Sequence, residues 1–320
     1  MANVVPMAAG RPGLLHQGCV YRSDDEFLAM AVPFIEEGLA QGEPVLAATT
    51  SANLDLLGGA LGPGVSGLDL VESAYFGHRP PQRVAAFDRY LKRHADRPGR
   101  ACILAEPVWS GRSERDIQAW TRMEAMLNLI FADASMWMIC PYDARMVRED
   151  IVADAYRTHP SFARGADAEA SAEYLDPIAF ASGLGAPALP EPPGTAQRLV
   201  FGGDMAKLHQ FITAAASGLP HDHAALFVTA AAEAATYLQD GGGDVALAVW
   251  QRLGTIVCDL RAASREFTDP VLGMRPPSIE HPRSGDGLWL ARQICERVEM
   301  SSMPDGARIQ LHMSSARTLV

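Results

Sequence analysis

The chain has 320 residues, 48% hydrophobic and 20% charged, with a formal net charge of −11. That length and apolar content suit two globular domains with buried cores, and the acidic balance argues against a general nucleic-acid binder, which presents a basic face. No run of about 18 apolar residues occurs, so no membrane span is expected. The first 18 residues lack a charged segment followed by an apolar core, so no secretory leader is expected. Cysteines at 19, 102, 140, 258 and 295 are scattered and odd in number. They read as reduced core thiols in a cytoplasm.

Residues 1–13 read as a loose tail. Ser23 caps a predicted helix, with Glu26 in capping-box register and Phe27, Met30, Phe34 and Ile35 on its buried face. Pro33 falls inside it, and Gly42 ends it. Val45 to Thr50 is a short apolar run, hence a buried strand. A helix over 51–61, a strand over 68–71 and a helix over 83–95 follow. Ala101 to Ala105 is a second buried strand, 113–131 a long helix, Met136 to Cys140 a third strand, and 145–157 a helix. Strands separated by helices predict β-α-β units, a mainly parallel sheet and helices on both faces.

In such sheets ligands sit beyond the carboxyl ends of the strands. The segments there carry Glu106, Trp109 and Arg112, then Tyr142 and Asp143. Glu124 and Asn128, one turn apart, share a face of the intervening helix. Together these seven form a candidate small-ligand cluster; the plain alternative is a salt-bridged rim around a core. His16 and Cys19 have an H-x-x-C spacing, but with no further ligand pair legible a metal is not expected. No G-x-x-x-x-G-K-[ST] occurs, so this sheet has no P-loop.

Several stretches then fall in a familiar order: His16, YRSDDEFLAMAVPFIEEGLAQGEPVLAAT, EPVWSGRS at 106–113, EAMLN at 124–128, CPYD at 140–143 and HP at 159–160. Over about residues 14–165 the chain resembles the MEDS sensory domain. The resemblance implies a RecA-like, three-layer α/β sensory domain.

Between 166 and 195 the composition shifts to Ala, Gly, Pro and acids, ending in Glu191-Pro192-Pro193-Gly194, a linker signal. Residues 169–182 are compatible with a short helix. A second domain is expected over 196–316. It opens with a strand at Arg198 to Phe201 and helices over 204–217 and 221–239, the latter closed by Gly241-Gly242-Gly243. Val245 to Trp250 and Thr255 to Leu260 form a hairpin. Gly285 and Gly287 make a glycine turn into a helix whose apolar stripe runs from Leu288 through Ile294 and Cys295 to Val298. Ala307 to Met313 is a last strand. A glycine turn at a helix N-terminus presents free N–H groups and a positive dipole end, suited to phosphate.

This order resembles the GHKL-type (Bergerat) ATPase domain of anti-sigma-factor serine kinases, an α/β sandwich. The matching features are the glycine triplet after the long helix, Val257-Cys258-Asp259, the DPVLGMRPP run from Asp269, and SGDGLWLARQICERVEM. The resemblance implies that Asp259 reads an adenine amino group and that Gly285 and Gly287, followed by Leu288, cradle phosphates. Two parts depart from it. The places of the catalytic Glu and the Mg²⁺-binding Asn fall on Ala232 and Thr236, with Glu233 about 100° away around the helix. The Asp-x-Gly-x-Gly motif becomes Asp259-Leu260-Arg261-Ala262-Ala263, and Arg261 is a candidate for filling the phosphate pocket or for replacing an absent metal's charge.

Without the metal ligand and the base, most of the electrostatic stabilisation of phosphoryl transfer is gone. No catalytic residue is therefore assigned, Mg²⁺ is not expected, and ATP or ADP binding stays open. The leading reading is a cytoplasmic signalling and transcription regulator. Its sensory domain, with a small-molecule signal, controls an anti-sigma-type domain that binds a sigma factor or an anti-anti-sigma antagonist, with homodimerisation by analogy and no direct nucleic-acid or membrane partner. The alternative is an active ATP-dependent anti-sigma serine kinase or sensor histidine kinase, though His209, His221 and His223 lack a phosphoacceptor's flanking pattern. A carboxylate enzyme built on Glu106, Glu124 and Asp143 ranks last, because no nucleophile–base pair is legible.

Overall fold

The computed structural model describes residues 13–62, 65–97, 99–185, 189–263, 265–278 and 280–314. Almost all of the expected N-terminal tail lies outside these residues. The chain divides into two compact units, Met1–Gly185 and Ala186–Val320. Among the described residues no helix is long and apolar enough to cross a membrane.

Unit 1 comprises β1 (Leu14–Tyr21), α1 (Asp24–Ala40), β2 (Val45–Thr49), α2 (Ser51–Leu61), β3 (Leu68–Glu72), α3 (Pro80–Arg93), β4 (Ala101–Ala105), α4 (Glu114–Ile130), β5 (Met136–Asp143), α5 (Glu149–Thr158), β6 (Ser161–Arg164), β7 (Asp167–Ala170) and α6 (Pro177–Gly183). Its seven-stranded sheet runs β3-β2-β4-β5-β1-β6-β7. All neighbours are parallel except β6 and β7. Fully buried runs such as Val45–Thr49 and Ala101–Ala105 fit strands covered on both faces.

Strand β1 was not anticipated, although it lies beside the central strand β5 along its whole length. Its sequence, LLHQGCVY, mixes polar and apolar residues without clean alternation. Alternation still sets what faces what. Cys19 and Tyr21 pack with Phe27, Phe34, Trp137 and Ile139 in the core beneath α1. His16 and Gly18 take the opposite face, and Gly18 pairs with Cys140. A Cβ on Gly18 would stand 2.6 Å from the Phe162 ring, so the close passage of that ring requires glycine.

Helix α1 starts at the expected cap, with Ser23 Oγ accepting from Glu26 N at 3.1 Å. Pro33 sits inside it without ending it. The stretch expected as a linker begins with ordered elements of unit 1: β7 pairs with β6, and α6 is capped by Asp176, whose side chain accepts from Ile178 N and Ala179 N.

Unit 2 comprises β8 (Gln197–Phe201), α7 (Met205–Ala215), α8 (His221–Gln239), β9 (Val245–Arg252), β10 (Thr255–Ala262), α9 (Asp286–Ile294), β11 (Arg297–Met303) and β12 (Gly306–Ser314). Its separate five-stranded sheet, β11-β12-β10-β9-β8, is antiparallel throughout. One core joins Ile256, Cys258 and Leu260 of β10 and Ile309 and Leu311 of β12 to Ala231, Ala234, Leu238, Leu288 and Ala291 of the helices. The helices therefore cover one face. Helix α9 is shorter than the apolar stripe suggested: it stops at Ile294, and Val298 belongs to strand β11. The β-branched Val298 fits a half-buried strand as well as a helix face, and pairing with Leu311 decides it.

Candidate functional site

Unit 1 divides the seven expected site residues between the two faces of its sheet and its rim. Glu106, at the end of β4, lies on the α2 side, 5% exposed and fully engaged. Its Oε1 accepts from Tyr21 Oη at 3.0 Å, and its Oε2 accepts from Asn53 Nδ2 at 2.8 Å and from the Thr49 hydroxyl. Burial, then Glu106, pushes the Tyr21 phenol far up, so it donates and does not ionise. Asp143 is elsewhere: its Oδ1 and Oδ2 accept from Arg145 Nε and Nη2, each at 2.8 Å, and the hydrogen bonds from Arg145 hold its carboxyl below the usual range. Arg112 lies 4.0 Å over the Trp120 ring and donates to Val108 O; burial lowers its guanidinium to about 10.

Glu124, Asn128, Trp109 and Tyr142 do come together, on the α4–α5 side, around residues that the sequence reading had not joined to them. His16 of β1, Glu124 of α4, Cys140 of β5 and His159 after α5 bring one donor atom each to a common point, all within 4.8 Å of one another. All four residues are buried. His16 Nε2 stands 3.5 Å from Cys140 Sγ and 3.9 Å from Glu124 Oε2, and His159 Nε2 stands 3.5 Å from Glu124 Oε2.

The outer atoms fix these donors. Asn128 Nδ2 donates to Thr158 O at 2.9 Å and Ala125 O at 3.1 Å, which leaves its Oδ1 to accept from His16 Nδ1 at 3.1 Å. His159 Nδ1 donates to Ala155 O at 2.9 Å. Both imidazoles therefore carry their proton on Nδ1 and turn a bare Nε2 lone pair inward. Burial and the neighbouring His159 lower the His16 imidazole well below its ordinary value, so it stays neutral. Burial, then Glu124, raises the Cys140 thiol. Tyr142 meets the His159 ring edge-on at 5.8 Å and stacks with Trp109 at 6.1 Å, walling the cluster.

The H-x-x-C pairing of His16 with Cys19 is not formed. The two residues take opposite faces of β1, and Cys19 is packed in the core beneath α1. Arg83 was also missed. It is 1% exposed, with Nη1 donating to Phe76 O and Nη2 to Glu106 O and Ser73 Oγ, each at 3.0 Å. In the sequence it is one of four Lys and Arg residues in RVAAFDRYLKRHA, and nothing in the spacing singles it out. The usable signal for the cluster was His159 and Cys140 standing in the HP and CPYD stretches; their convergence with His16 depends on strand order.

In unit 2 the five expected nucleotide-site residues do not form one site. Ile256, Cys258, Leu260 and Ala262 face the helices, so Asp259 and Arg261 face the other way. Asp259 Oδ1 accepts from Arg308 Nε at 2.6 Å and Gln310 Nε2 at 2.8 Å, and Oδ2 accepts from Arg261 Nε at 2.8 Å. The segment before β8 covers this group: Arg308 Nη2 donates to Pro190 O at 2.6 Å, and Glu191 takes Arg261 Nη2 at 2.6 Å and Arg308 Nη1 at 2.9 Å. Asp259 is 2% exposed and has no edge free for a base.

Gly285 and Gly287 lie on the helix side. Gly285 caps α9 with φ 92°, and a Cβ there would stand 2.4 Å from Leu272 Cδ1. Leu288 is a fully buried core residue. A Cβ on Gly287 would overlap the Glu233 carboxylate. The offset of Glu233 around α8 therefore does not turn it away from the glycine turn, as expected, but onto it. Asp286 adds a second carboxylate, its Oδ2 accepting from Arg283 N at 2.8 Å. Ala232 is in the core and Thr236 is exposed.

Comparison with known proteins bears on unit 1. Residues 15–160 match the MEDS family, described as the MEthanogen/methylotroph, DcmR Sensory domain. That stretch holds all four clustered donors and less than half of the chain. No curated protein matches the chain. A sensory domain of this family indicates a signalling role.

Proposed function

We propose that this chain is a cytoplasmic signalling regulator in which the MEDS domain controls an anti-sigma-type domain that grips a protein and transfers little or no phosphate. The finer fold readings, RecA-like for unit 1 and GHKL-type for unit 2, rest on the sequence resemblance. The observation that carries the functional reading is the Glu233 carboxylate against Gly287. A helix N-terminus of this kind attracts anions; here a side-chain carboxylate already stands there and repels a polyphosphate. With Ala232 and Thr236 in the places of the base and the Mg²⁺ ligand, transfer loses the terms that lower its barrier, about 3–4 kcal/mol for one such contact. The partner is a sigma factor or its anti-anti-sigma antagonist, and a homodimer follows by analogy.

The test is calorimetric titration of the full chain with MgATP, beside a phosphate-release assay and biosensor binding to the sigma factors and antagonists of the host. The proposal expects no titratable heat, no release above blank and one tight protein partner. Turnover, or the absence of any such partner, overturns it. The second reading, an active serine or histidine kinase, would have Glu233, beside Gly287, take over the role of the base whose place falls on Ala232. It requires turnover that Glu233→Gln abolishes.

A further inference from the structure

We propose that His16, Glu124, Cys140 and His159 form a four-coordinate site for a divalent transition-metal ion, with zinc the best match. The assignment is independent of what unit 2 does. It starts from donors left without partners. Glu124 Oε2 and His159 Nε2 are buried with no hydrogen-bond partner, in residues 3% and 0% exposed. Leaving such atoms unsatisfied is costly unless something else meets them.

The separations point to what that is. Hydrogen bonds between nitrogen and oxygen would close to about 3.2 Å or less. Zinc bonds of about 2.0–2.2 Å to N and O and about 2.3 Å to S place the corners of a tetrahedron about 3.3–3.6 Å apart. The His16–Cys140 and His159–Glu124 separations, both 3.5 Å, fall in that range, and the 3.9 Å between His16 and Glu124 lies just outside it. The one S–H proton of Cys140 can meet either His16 Nε2 or Glu124, and in both cases His159 Nε2 and a second buried acceptor stay unmet.

The donor chemistry agrees. Two imidazoles, one thiolate and one carboxylate are a borderline-soft set, unsuited to Ca²⁺ or Mg²⁺, which take oxygen ligands. Both rings are oriented from behind, by Asn128 Oδ1 and Ala155 O, the usual outer support of metal-bound histidine. One thiolate and one carboxylate balance a 2+ ion, so the loaded site is neutral in its buried setting. Loading converts the Cys140 S–H to a thiolate and releases that proton to solvent, with no change of oxidation state. With four protein ligands and every one buried, the site is of the closed kind, not the kind that keeps a position for water. It ties together β1, α4, β5 and the end of α5, so occupancy is read as the order of unit 1.

The test uses the full chain, stripped with a chelator and titrated with Co²⁺ as a spectroscopic probe, with zinc content measured by mass spectrometry on untreated protein. The expectation is one equivalent bound, intense tetrahedral d–d bands and a sulfur-to-cobalt charge-transfer band in the near ultraviolet. Cys140→Ser removes that band. Asn128→Ala, which leaves all four ligands in place, keeps it and weakens binding about 10–100-fold. Far-ultraviolet circular dichroism establishes that each variant folds. Folded wild-type protein that takes up no Co²⁺ and carries no zinc overturns the proposal, as does an unchanged spectrum in folded Cys140→Ser. Should Cys140→Ser not fold, the wild-type spectrum and Asn128→Ala decide.

Discussion

The carboxylate of Glu233 on α8 occupies the space that a side chain on Gly287 of α9 would need. The two helices approach at this point because residue 287 has no Cβ, and the acid reaches the positive end of α9 for the same reason. The glycine that the resemblance assigns to phosphate therefore has a second role, in packing.

Gly287→Ala is expected to destabilise unit 2 by about 1–3 kcal/mol, the usual range for forcing atoms into a packed position. Glu233→Ala in the same chain vacates that space. A double-mutant cycle in urea checks this: a coupling of at least about 0.5 kcal/mol, with the double variant more stable than additivity allows, is the expected outcome. Strict additivity would mean that the two residues do not compete for the same volume.

Asp259 and Arg308 make a prediction that separates a structural from a ligand-reading role. Arg308→Ala leaves a buried carboxylate short of one cation and is expected to cost about 3–5 kcal/mol in the absence of any nucleotide. An adenine-reading Asp259 would instead change nucleotide affinity and leave the stability of the free protein near its original value. Thermal unfolding of the nucleotide-free protein distinguishes the two.

Arg83→Lys is expected to be poorly tolerated in unit 1. One ammonium cannot reach Phe76 O, Glu106 O and Ser73 Oγ as the guanidinium fork does. Each buried acceptor left unmet costs about 1–3 kcal/mol. Urea unfolding monitored at the tryptophans should show the loss. A midpoint equal to that of the wild type would show that the fork is dispensable.

Cys19 supplies a pH dependence with a defined sign. Burial, then Glu26, raises its thiol from 9.0 to about 12. Above pH 9 the unfolded chain releases this proton and the folded chain keeps it, so the unfolded state binds fewer protons and stability falls as pH rises. The contribution is fully present below pH 9 and is lost progressively between about 9 and 12, at a slope near 1.4 kcal/mol per pH unit. Comparing Cys19→Ala with wild type over that range isolates it. The variant should show the shallower alkaline decline, and parallel curves would contradict the assignment.

What could be read along the chain was local. The Ser23 cap, the buried runs at Val45–Thr49 and Ala101–Ala105, the long α8 and the hairpin of β9 and β10 each declare themselves within one element, through capping, hydrophobic period or turn residues. The resemblance to the MEDS family was likewise carried by short stretches, and the match over residues 15–160 agrees with it. Glu124 and Asn128 were picked out because i,i+4 spacing on a helix is a local relation.

Relations between elements were decided only by the tertiary structure. His16 and Cys140 share a face because β1 lies parallel to β5 in one register, and a shift of one residue would have sent His16 to the side where Cys19 is. His159 joins them through the end of α5, more than a hundred residues away from His16. Asp259 looked like a ligand-reading acid at a strand end, but strand alternation turned it to the face where Arg308 and Glu191 wait. Sequence carries the period of each element; which side chains meet depends on strand order, register and the face on which each helix lands, and these follow from burying all the apolar surfaces at once.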